Sequence, residues 1–165
     1  MRRFLTLSLI CLTLAPLAAG AQQVAFGGMR ADAKAPVEVN ADQLTVSQAD
    51  GSAVFTGDVV IVQGEMKISA ATVKVIYAPE AEGGQKKIDR LEASGGVTLV
   101  NATDAAEAQE AVYSVESGEV VMTGDVLLTQ GGNTLTGQKL VVDLNTGTGQ
   151  MVGRVRTTLQ PAGGN

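Results

Sequence analysis

The chain has 165 residues, of which 45% are hydrophobic and only 3% aromatic, and its formal net charge is −5. This length suits a single domain, and the acidic balance argues against nucleic acid as a partner. The sequence contains no histidine, which removes the commonest general base and zinc ligand. No nucleotide-binding or nucleophile motif is present either. We therefore predict no enzyme, no cofactor and no metal site.

Residues 1–21 are predicted to form a secretory signal peptide. A basic start at Arg2 and Arg3 is followed by an apolar run to Ala15 and by the small residues Ala19-Gly20-Ala21. The run is too short to span a bilayer comfortably as a retained anchor. We expect cleavage after position 21 and a periplasmic mature chain, which loses the only cysteine and, with two arginines gone, carries a net charge of −7.

The remainder is predicted to comprise a lead segment at residues 22–35, a β domain at residues 36–160 and a short tail at residues 161–165. An internal repeat is the strongest signal in the domain. The segment Phe-Thr-Gly-Asp-Val-Val-Ile-Val-Gln-Gly at residues 55–64 returns 67 residues later, at residues 122–131, as Met-Thr-Gly-Asp-Val-Leu-Leu-Thr-Gln-Gly. Such self-similarity predicts hairpin units that stack on a shared core.

Weaker copies of the repeat occur at residues 93–100 and 151–155, each with a glycine that we interpret as a kink. Short alternating runs bounded by Asp-Gly and Thr-Gly turns favour strands. Residues 78–87 are predicted to form a long solvated loop. The Ala- and Glu-rich segment at residues 102–111 is the one helix candidate within the domain, and it lacks a strong cap or an apolar stripe. The predicted fold class is therefore all-β.

Because side chains alternate along a strand, the pattern predicts one apolar face that runs through the whole array. The candidate lipid-binding residues on this face are Val37, Val39, Leu44, Val46, Phe55, Val59, Ile61, Met66, Ile68, Val73, Val75, Leu99, Ala111, Tyr113, Val115, Met122, Val126 and Leu128. Ala70, Tyr77, Val97, Leu140 and Val142 are predicted to share the same face. An ordinary core is the simpler interpretation of such a face. The scarcity of aromatic residues instead favours a smooth aliphatic lining that suits acyl chains.

The run at residues 53–70 (Ala-Val-Phe-Thr-Gly-Asp-Val-Val-Ile-Val-Gln-Gly-Glu-Met-Lys-Ile-Ser-Ala) resembles the signature of the OstA-like family of periplasmic lipopolysaccharide-transport proteins. Residues 36–43 resemble the opening strand of that family, and the Thr-Gly-Asp-Val repeat at residues 123–126 also matches. The resemblance extends from about Pro36 to Leu159. It implies a β-jellyroll of two facing antiparallel sheets with a hydrophobic groove between them.

The resemblance also implies a carrier that binds the lipid A acyl chains of lipopolysaccharide in the groove and passes them from the inner to the outer membrane. Val37, Val39, Tyr113 and Val115 match lipid-contacting positions of the family, whereas Leu99 stands where an aromatic residue is frequent. The implied partners are an inner-membrane-anchored jellyroll protein (LptC-like), the jellyroll domain of an outer-membrane β-barrel (LptD-like) and further copies of the same chain, paired head to tail.

Three alternatives remain open at this point. The chain could be another member of the same superfamily, such as the anchored inner-membrane partner, although the cleavage pattern at residues 19–21 argues against a retained anchor. It could be a β-solenoid-like structural or adhesion protein with a filled core and no lipid ligand. A polysaccharide-active β-helix enzyme would need two carboxylates that converge in a polar cleft.

Overall fold

The computed structural model describes residues 22–25, 32, 35–47, 49, 51–79 and 87–160, with the backbone alone for residues 22–25. The predicted signal peptide at residues 1–21 and the predicted tail at residues 161–165 lie outside the described residues. The described chain is all-β, as the sequence predicts. Its strands are β1 (Gln22–Ala25), β2 (Glu38–Asn40), β3 (Gln43–Val46), β4 (Ala53–Gln63), β5 (Met66–Tyr77), β6 (Ile88–Asn101), β7 (Asp104–Ser114), β8 (Glu119–Gln130), β9 (Asn133–Asp143), β10 (Thr148–Val152) and β11 (Arg156–Thr158).

Strands β4 to β9 form an antiparallel meander in which each strand pairs with the next along the chain. The pairing register breaks in the middle of every one of these ladders, between Thr56 and Val59 in the first and between Thr123 and Val126 in the last. Bulges bend a strand and increase its twist. Because the breaks lie side by side, the sheet bends along one line, and its two halves face each other as a β-jellyroll.

The bend divides the strands between two sheets. The first sheet contains β3, residues 53–56, 72–77, 88–94, 110–114, 119–123 and 139–143, then β10 and β1. The second sheet contains β2, residues 59–63, 66–70, 97–101, 104–108, 126–130 and 133–137, then β11. The inward faces of both sheets share one apolar cluster.

The glycines of the repeat lie at the bulges. Gly57, Gly95, Gly124 and Gly153 all have φ between +82° and +86°, a conformation that side chains other than glycine rarely adopt. A Cβ atom on Gly95 would also lie 2.7 Å from the Cβ atom of Ala71 on the neighbouring strand. Each of the four copies of the repeat, including the two weak ones, therefore places a glycine at a bend. The predicted glycine kinks agree with this placement.

The two edges of the assembly differ. At one edge, β2 and β3 each pair with β4 and leave their other side without a strand among the described residues. At the opposite edge, β1 pairs antiparallel with β10, so that Gln22 lies opposite Met151 and Ala25 opposite Thr148. Strand β1, at the start of the lead segment, thus covers the outer edge of β10.

Candidate functional site: the space between the two sheets

The interior between the sheets is lined by aliphatic side chains, and most of the predicted lipid-binding residues lie there. Twelve of them are buried members of the apolar cluster: Val59, Ile61, Met66, Ile68, Val73, Val75, Leu99, Ala111, Tyr113, Met122, Val126 and Leu128. Four more, Val37, Val39, Phe55 and Val115, are partly buried and pack against it. The predicted inward parity therefore agrees with the placement of these sixteen side chains, while their contact with lipid stays a prediction.

The remaining two predicted residues, Leu44 and Val46, are 53% and 65% exposed on the edge strand β3. Their register places Leu44 opposite Phe55 and Val46 opposite Ala53, so both belong to the inward face of the first sheet. They are exposed because no further strand covers this end among the described residues. The interior consequently opens at the β2–β3 end, where its lining reaches solvent.

The outer ends of the two sheets, on the side away from the bulges, are joined by a side-chain contact between Tyr113 and Gln63. We call this line of contact the seam. The hydroxyl of Tyr113 in the first sheet donates a hydrogen bond to Oε1 of Gln63 in the second, at 2.5 Å. The Gln63 Nε2 atom in turn donates to the backbone oxygen of Ala35, at 3.1 Å. Tyr113 and Gln63 are each only 1% exposed. One buried amide thus links both sheets to the lead segment.

The protonation state of Tyr113 suits its role as donor in this seam. Burial raises the pKa of the phenol above its ordinary value of 10.0, against the opposing effect of the hydrogen bond to Gln63. The hydroxyl is therefore protonated at neutral pH and donates. Because Gln63 accepts with its oxygen, its amide nitrogen remains to donate to Ala35, so both polar ends of this buried side chain are satisfied.

A cavity of about 560 Å³ opens beside the seam, and we call it the side cavity. Its apolar wall is formed by Val37, Ala78, Ile88 and Val115, and its rim carries the charged residues Lys87, Asp89 and Glu116. Three of the wall residues, Val37, Ile88 and Val115, also pack against the buried cluster. The wall of the side cavity is therefore in contact with the buried cluster. Two of its wall residues, Val37 and Val115, are predicted lipid-binding positions.

The charges near the side cavity are partly paired. Arg90 lies 2.8 Å from a carboxylate oxygen of Asp89 and 2.8 Å from one of Glu92. The hydrogen bonds to Glu92 and Asp89 raise the pKa of the Arg90 guanidinium. Arg90 is thus paired with two neighbours on its strand, and Lys87 is the cation that lines the side cavity among the described residues.

Sequence reasoning missed part of the interior. The buried cluster also contains residues that were not among the candidate site residues: Ala53, Ala70, Leu91, Ala93, Val97, Ala106, Ala108, Val120, Leu135, Leu140, Val142, Leu144 and Met151. Alternation had already placed Ala70, Val97, Leu140 and Val142 on the inward face. A period of two in the first half of β7 and in β9 could have found Ala106, Ala108 and Leu135. Buried polar residues at the outer end of the second sheet, Gln63, Asn101 and Asp104, carried no hydrophobic signal.

The described residues contain no group of three or more acidic, histidine or cysteine side chains placed to hold a metal ion. Nor do they include a helix long and apolar enough to cross a membrane. What the geometry offers is an aliphatic interior that is buried except at the β2–β3 end, with the side cavity next to it.

Comparison with known proteins agrees with this architecture. The family described as LptA/(LptD N-terminal domain) LPS transport protein matches residues 38–148. That range covers most of the β-jellyroll, from β2 to the start of β10. The chain belongs to this family of lipopolysaccharide transport proteins.

Individual relatives share modest identity with the chain. An uncharacterized protein of Rhizobium meliloti is 29% identical over 141 residues, which are 81% of this chain and 76% of that protein. The lipopolysaccharide export system protein LptA of Escherichia coli K12 is 29% identical over 66% of this chain. LptH of Pseudomonas aeruginosa is 27% identical over 68% of it. The matches span 60% of the E. coli protein and 65% of the P. aeruginosa one.

The fold also matches a solved structure. The crystal structure of LptH, described as the LptA-homologous periplasmic component of the lipopolysaccharide transport device of Pseudomonas aeruginosa, superposes with a TM-score of 0.68 at 23% identity. The superposition covers 79% of this chain and 99% of that one. The comparison establishes the shared fold.

Proposed function

We propose that this protein is a periplasmic lipopolysaccharide carrier that holds lipid A acyl chains between its two sheets and passes them from the inner towards the outer membrane. The observation that carries the proposal is the continuous aliphatic interior, which reaches solvent at Leu44 and Val46. Membership of the transport family and the periplasmic description of LptH support it. No catalytic step is part of the proposed function.

The physical basis of the proposed transport is hydrophobic transfer. Each methylene removed from water contributes about 0.8 kcal/mol, so an acyl chain between the sheets avoids most of the cost of crossing an aqueous compartment. An aliphatic lining offers few directional anchors, and the lipid can therefore slide along it. The energy that drives net movement would come from the inner-membrane side, outside this chain.

The proposed partners bind at an edge of the jellyroll. The uncovered edge of β2 and β3 offers unpaired backbone groups to an added strand, the usual basis of β-augmentation. We assign this edge to head-to-tail pairing with another jellyroll: a second copy, the inner-membrane-anchored protein or the domain of the outer-membrane β-barrel. Export by a signal peptide at residues 1–21, followed by the jellyroll domain at residues 36–160, belongs to the same proposal.

The test is site-specific photo-crosslinking in cells, with a photoreactive residue at Val39 and a control at Glu38. Val39 packs against the interior cluster, whereas its neighbour Glu38 is exposed. We expect a lipopolysaccharide adduct at Val39 and none at Glu38. If the folded, exported protein gave no adduct at Val39, the transport function would be wrong, and a structural protein with a filled core would explain the fold better.

A further inference from the structure

The two open edges of the second sheet carry charges of opposite sign. At one edge, Glu38 on β2 and Asp42, two residues after that strand, are exposed. At the other edge, Arg156 on β11 and Arg154, two residues before that strand, are exposed. None of these four side chains forms an ion pair within the part of the chain that the structure describes. Each edge therefore presents charges of a single sign to a partner.

The register of the second sheet places the two edges in corresponding rows. One row of directly opposed residues begins at Asn40 on β2, crosses β4 to β9 and ends at Arg156 on β11. The adjacent row begins at Val39 and ends at Thr157, and each of these two residues pairs with a buried residue of the neighbouring strand. Val39 and Thr157 therefore share the inward face, whereas Asn40 and Arg156 share the outward one.

The direction of the strands fixes how a second copy can continue this sheet. Five antiparallel pairings lead from β4 to β9, so β11 runs in the direction of β4, and β2 runs in the opposite direction. A copy stacked along the same axis, with its interior on the same side, consequently pairs its β2 antiparallel with β11. If the rows continue across the junction, Thr157 lies opposite Val39 and Arg156 lies opposite Asn40.

This register brings the opposite charges of the two edges together on the outward face. Arg156 gains Glu38 and Asp42 as its diagonal neighbours, a separation that long side chains can bridge. Arg154 in turn comes next to Asp42. From this arrangement we infer that copies of the chain join through a charge-matched junction, in which Arg154 and Arg156 of one copy face Glu38 and Asp42 of the next.

The same charges oppose the pairing of like edges. Residues 36–47 contain no cation, and residues 153–160 contain no acid. Two β2 edges, or two β11 edges, would set like charges against each other, which destabilises a cross-strand pair. The charges thus favour a junction of unlike edges, which can repeat, over a closed two-fold dimer. The inference rests on the proposed function and adds which edge of the second copy binds and in which register.

Sedimentation velocity at low salt tests the charges by reversal and rescue. Arg156→Glu and Glu38→Arg each replace attraction with repulsion, and we expect either change alone to weaken self-association about tenfold. The double variant restores unlike charges at the wild-type net charge and should return to within about threefold of the wild-type protein. Glu107→Arg is the control, because it makes the same charge change at an exposed outward site in the middle of the second sheet. It should leave self-association unchanged.

Disulfide trapping tests the register. The one cysteine of the chain, Cys11, lies in the predicted signal peptide. A mixture of Thr157→Cys and Val39→Cys proteins should form a cross-linked dimer on mild oxidation, because directly opposed residues have the Cα separation that a disulfide spans. The matched control mixes Thr157→Cys with Val37→Cys. A shift of two residues adds about 6.6 Å along the strand, which places the two Cα atoms beyond the reach of a disulfide.

Several outcomes would overturn the inference. They are unchanged self-association in Arg156→Glu, a double variant as weak as the single ones, equal weakening by Glu107→Arg, and faster cross-linking of Thr157→Cys to Val37→Cys. A wild-type protein that did not self-associate would overturn it too. The carrier function fails by a different observation, the absence of a lipopolysaccharide adduct at Val39, so the two failures are distinguishable.

Discussion

Gly95 and Gly96 lie at the same bulge and separate two reasons for glycine there: a positive φ, and a lack of space for a side chain. Gly95 and Gly96 both have φ of +85°, but a Cβ atom on Gly95 would meet Ala71 at 2.7 Å, whereas one on Gly96 would meet no atom within 4 Å. Left-handed strain costs a substituted residue roughly 1–2 kcal/mol, and an added clash in a packed region about 1–3 kcal/mol more.

We therefore expect Gly95→Ala to lower the free energy of unfolding more than Gly96→Ala does, by about 1–3 kcal/mol. Urea denaturation of both variants measures the difference, and Gly96→Ala serves as the control for backbone strain alone. Equal losses would show that the close approach of Ala71 does not determine the glycine at position 95.

Asp143 gives a prediction about pH at the turn between β9 and β10. Its Oδ1 atom accepts hydrogen bonds from the backbone N–H groups of Asn145, at 2.8 Å, and Thr146, at 3.1 Å. These bonds, that from Thr146 foremost, hold the pKa of the Asp143 carboxyl below its ordinary value of 3.8. The contribution to stability is therefore present above pH 3.8 and is lost as the pH falls through the depressed pKa.

The variant Asp143→Asn keeps an acceptor oxygen but cannot titrate. We expect the wild-type protein to be the more stable of the two at neutral pH, and the difference in unfolding free energy to shrink as the pH falls below 3.8. Denaturant unfolding at a series of pH values provides the measurement. A difference that stayed constant down to pH 2 would contradict the assignment.

At the scale of elements, β7 shows where sequence patterns fall short. The segment Ala102–Ala111 is rich in alanine and glutamate, which favour helix over strand, and the sequence left its structure undecided. The structure makes residues 104–114 a central strand, paired with β6 on one side and with β8 on the other. Tertiary pairing overrides local propensity there, and Ala106 and Ala108 are buried in the shared apolar cluster.

Strand β3 is the element on which proposed assembly depends. No strand of the described residues covers its outer edge, and its inward residues Leu44 and Val46 are exposed, which favours pairing with another strand. An inward-pointing charge on an edge strand opposes such pairing, because pairing would bury it. We expect the double variant Leu44→Lys with Val46→Lys to reduce self-association measured by sedimentation velocity, with little loss of unfolding free energy because both sites are already exposed.

The control for this prediction is Thr45→Lys, which changes the charge on the same strand but on its outward face. It should leave self-association closer to that of the wild-type protein. If both variants weakened self-association equally, net charge would be the cause, and if neither did, association would use another surface.

At the scale of the whole molecule, the inward face was largely predictable, and the way in which the jellyroll closes was not. Alternation and the repeat placed sixteen of the candidate side chains correctly at the interior, because the period of two is a local property of strands. The seam joins Gln63 to Tyr113 across 50 residues. A polar pair between strands that are not neighbours has no local signature, so its location depends on how far the whole sheet bends.

Ligand binding to the folded state gives the prediction at this scale. A lipid that binds only the folded jellyroll stabilises it by mass action, by about 2.7 kcal/mol when its free concentration is one hundred times Kd. We expect lipopolysaccharide to raise Tm in proportion to the logarithm of its free concentration above Kd. The deacylated oligosaccharide is the control and should leave Tm unchanged; an equal shift with it would place binding on the surface and not between the sheets.

The pairing of β1 with β10 has a consequence for how chains of this protein would grow. A strand tethered to its own domain competes for the edge at a high effective concentration, in the millimolar range for short flexible connections. A strand of another molecule that arrives at β10 must displace β1 before it can pair. Pairing with the first sheet at this end is therefore a strand exchange, whereas β11 in the second sheet and the edge at β2 and β3 have no strand on their outer side among the described residues.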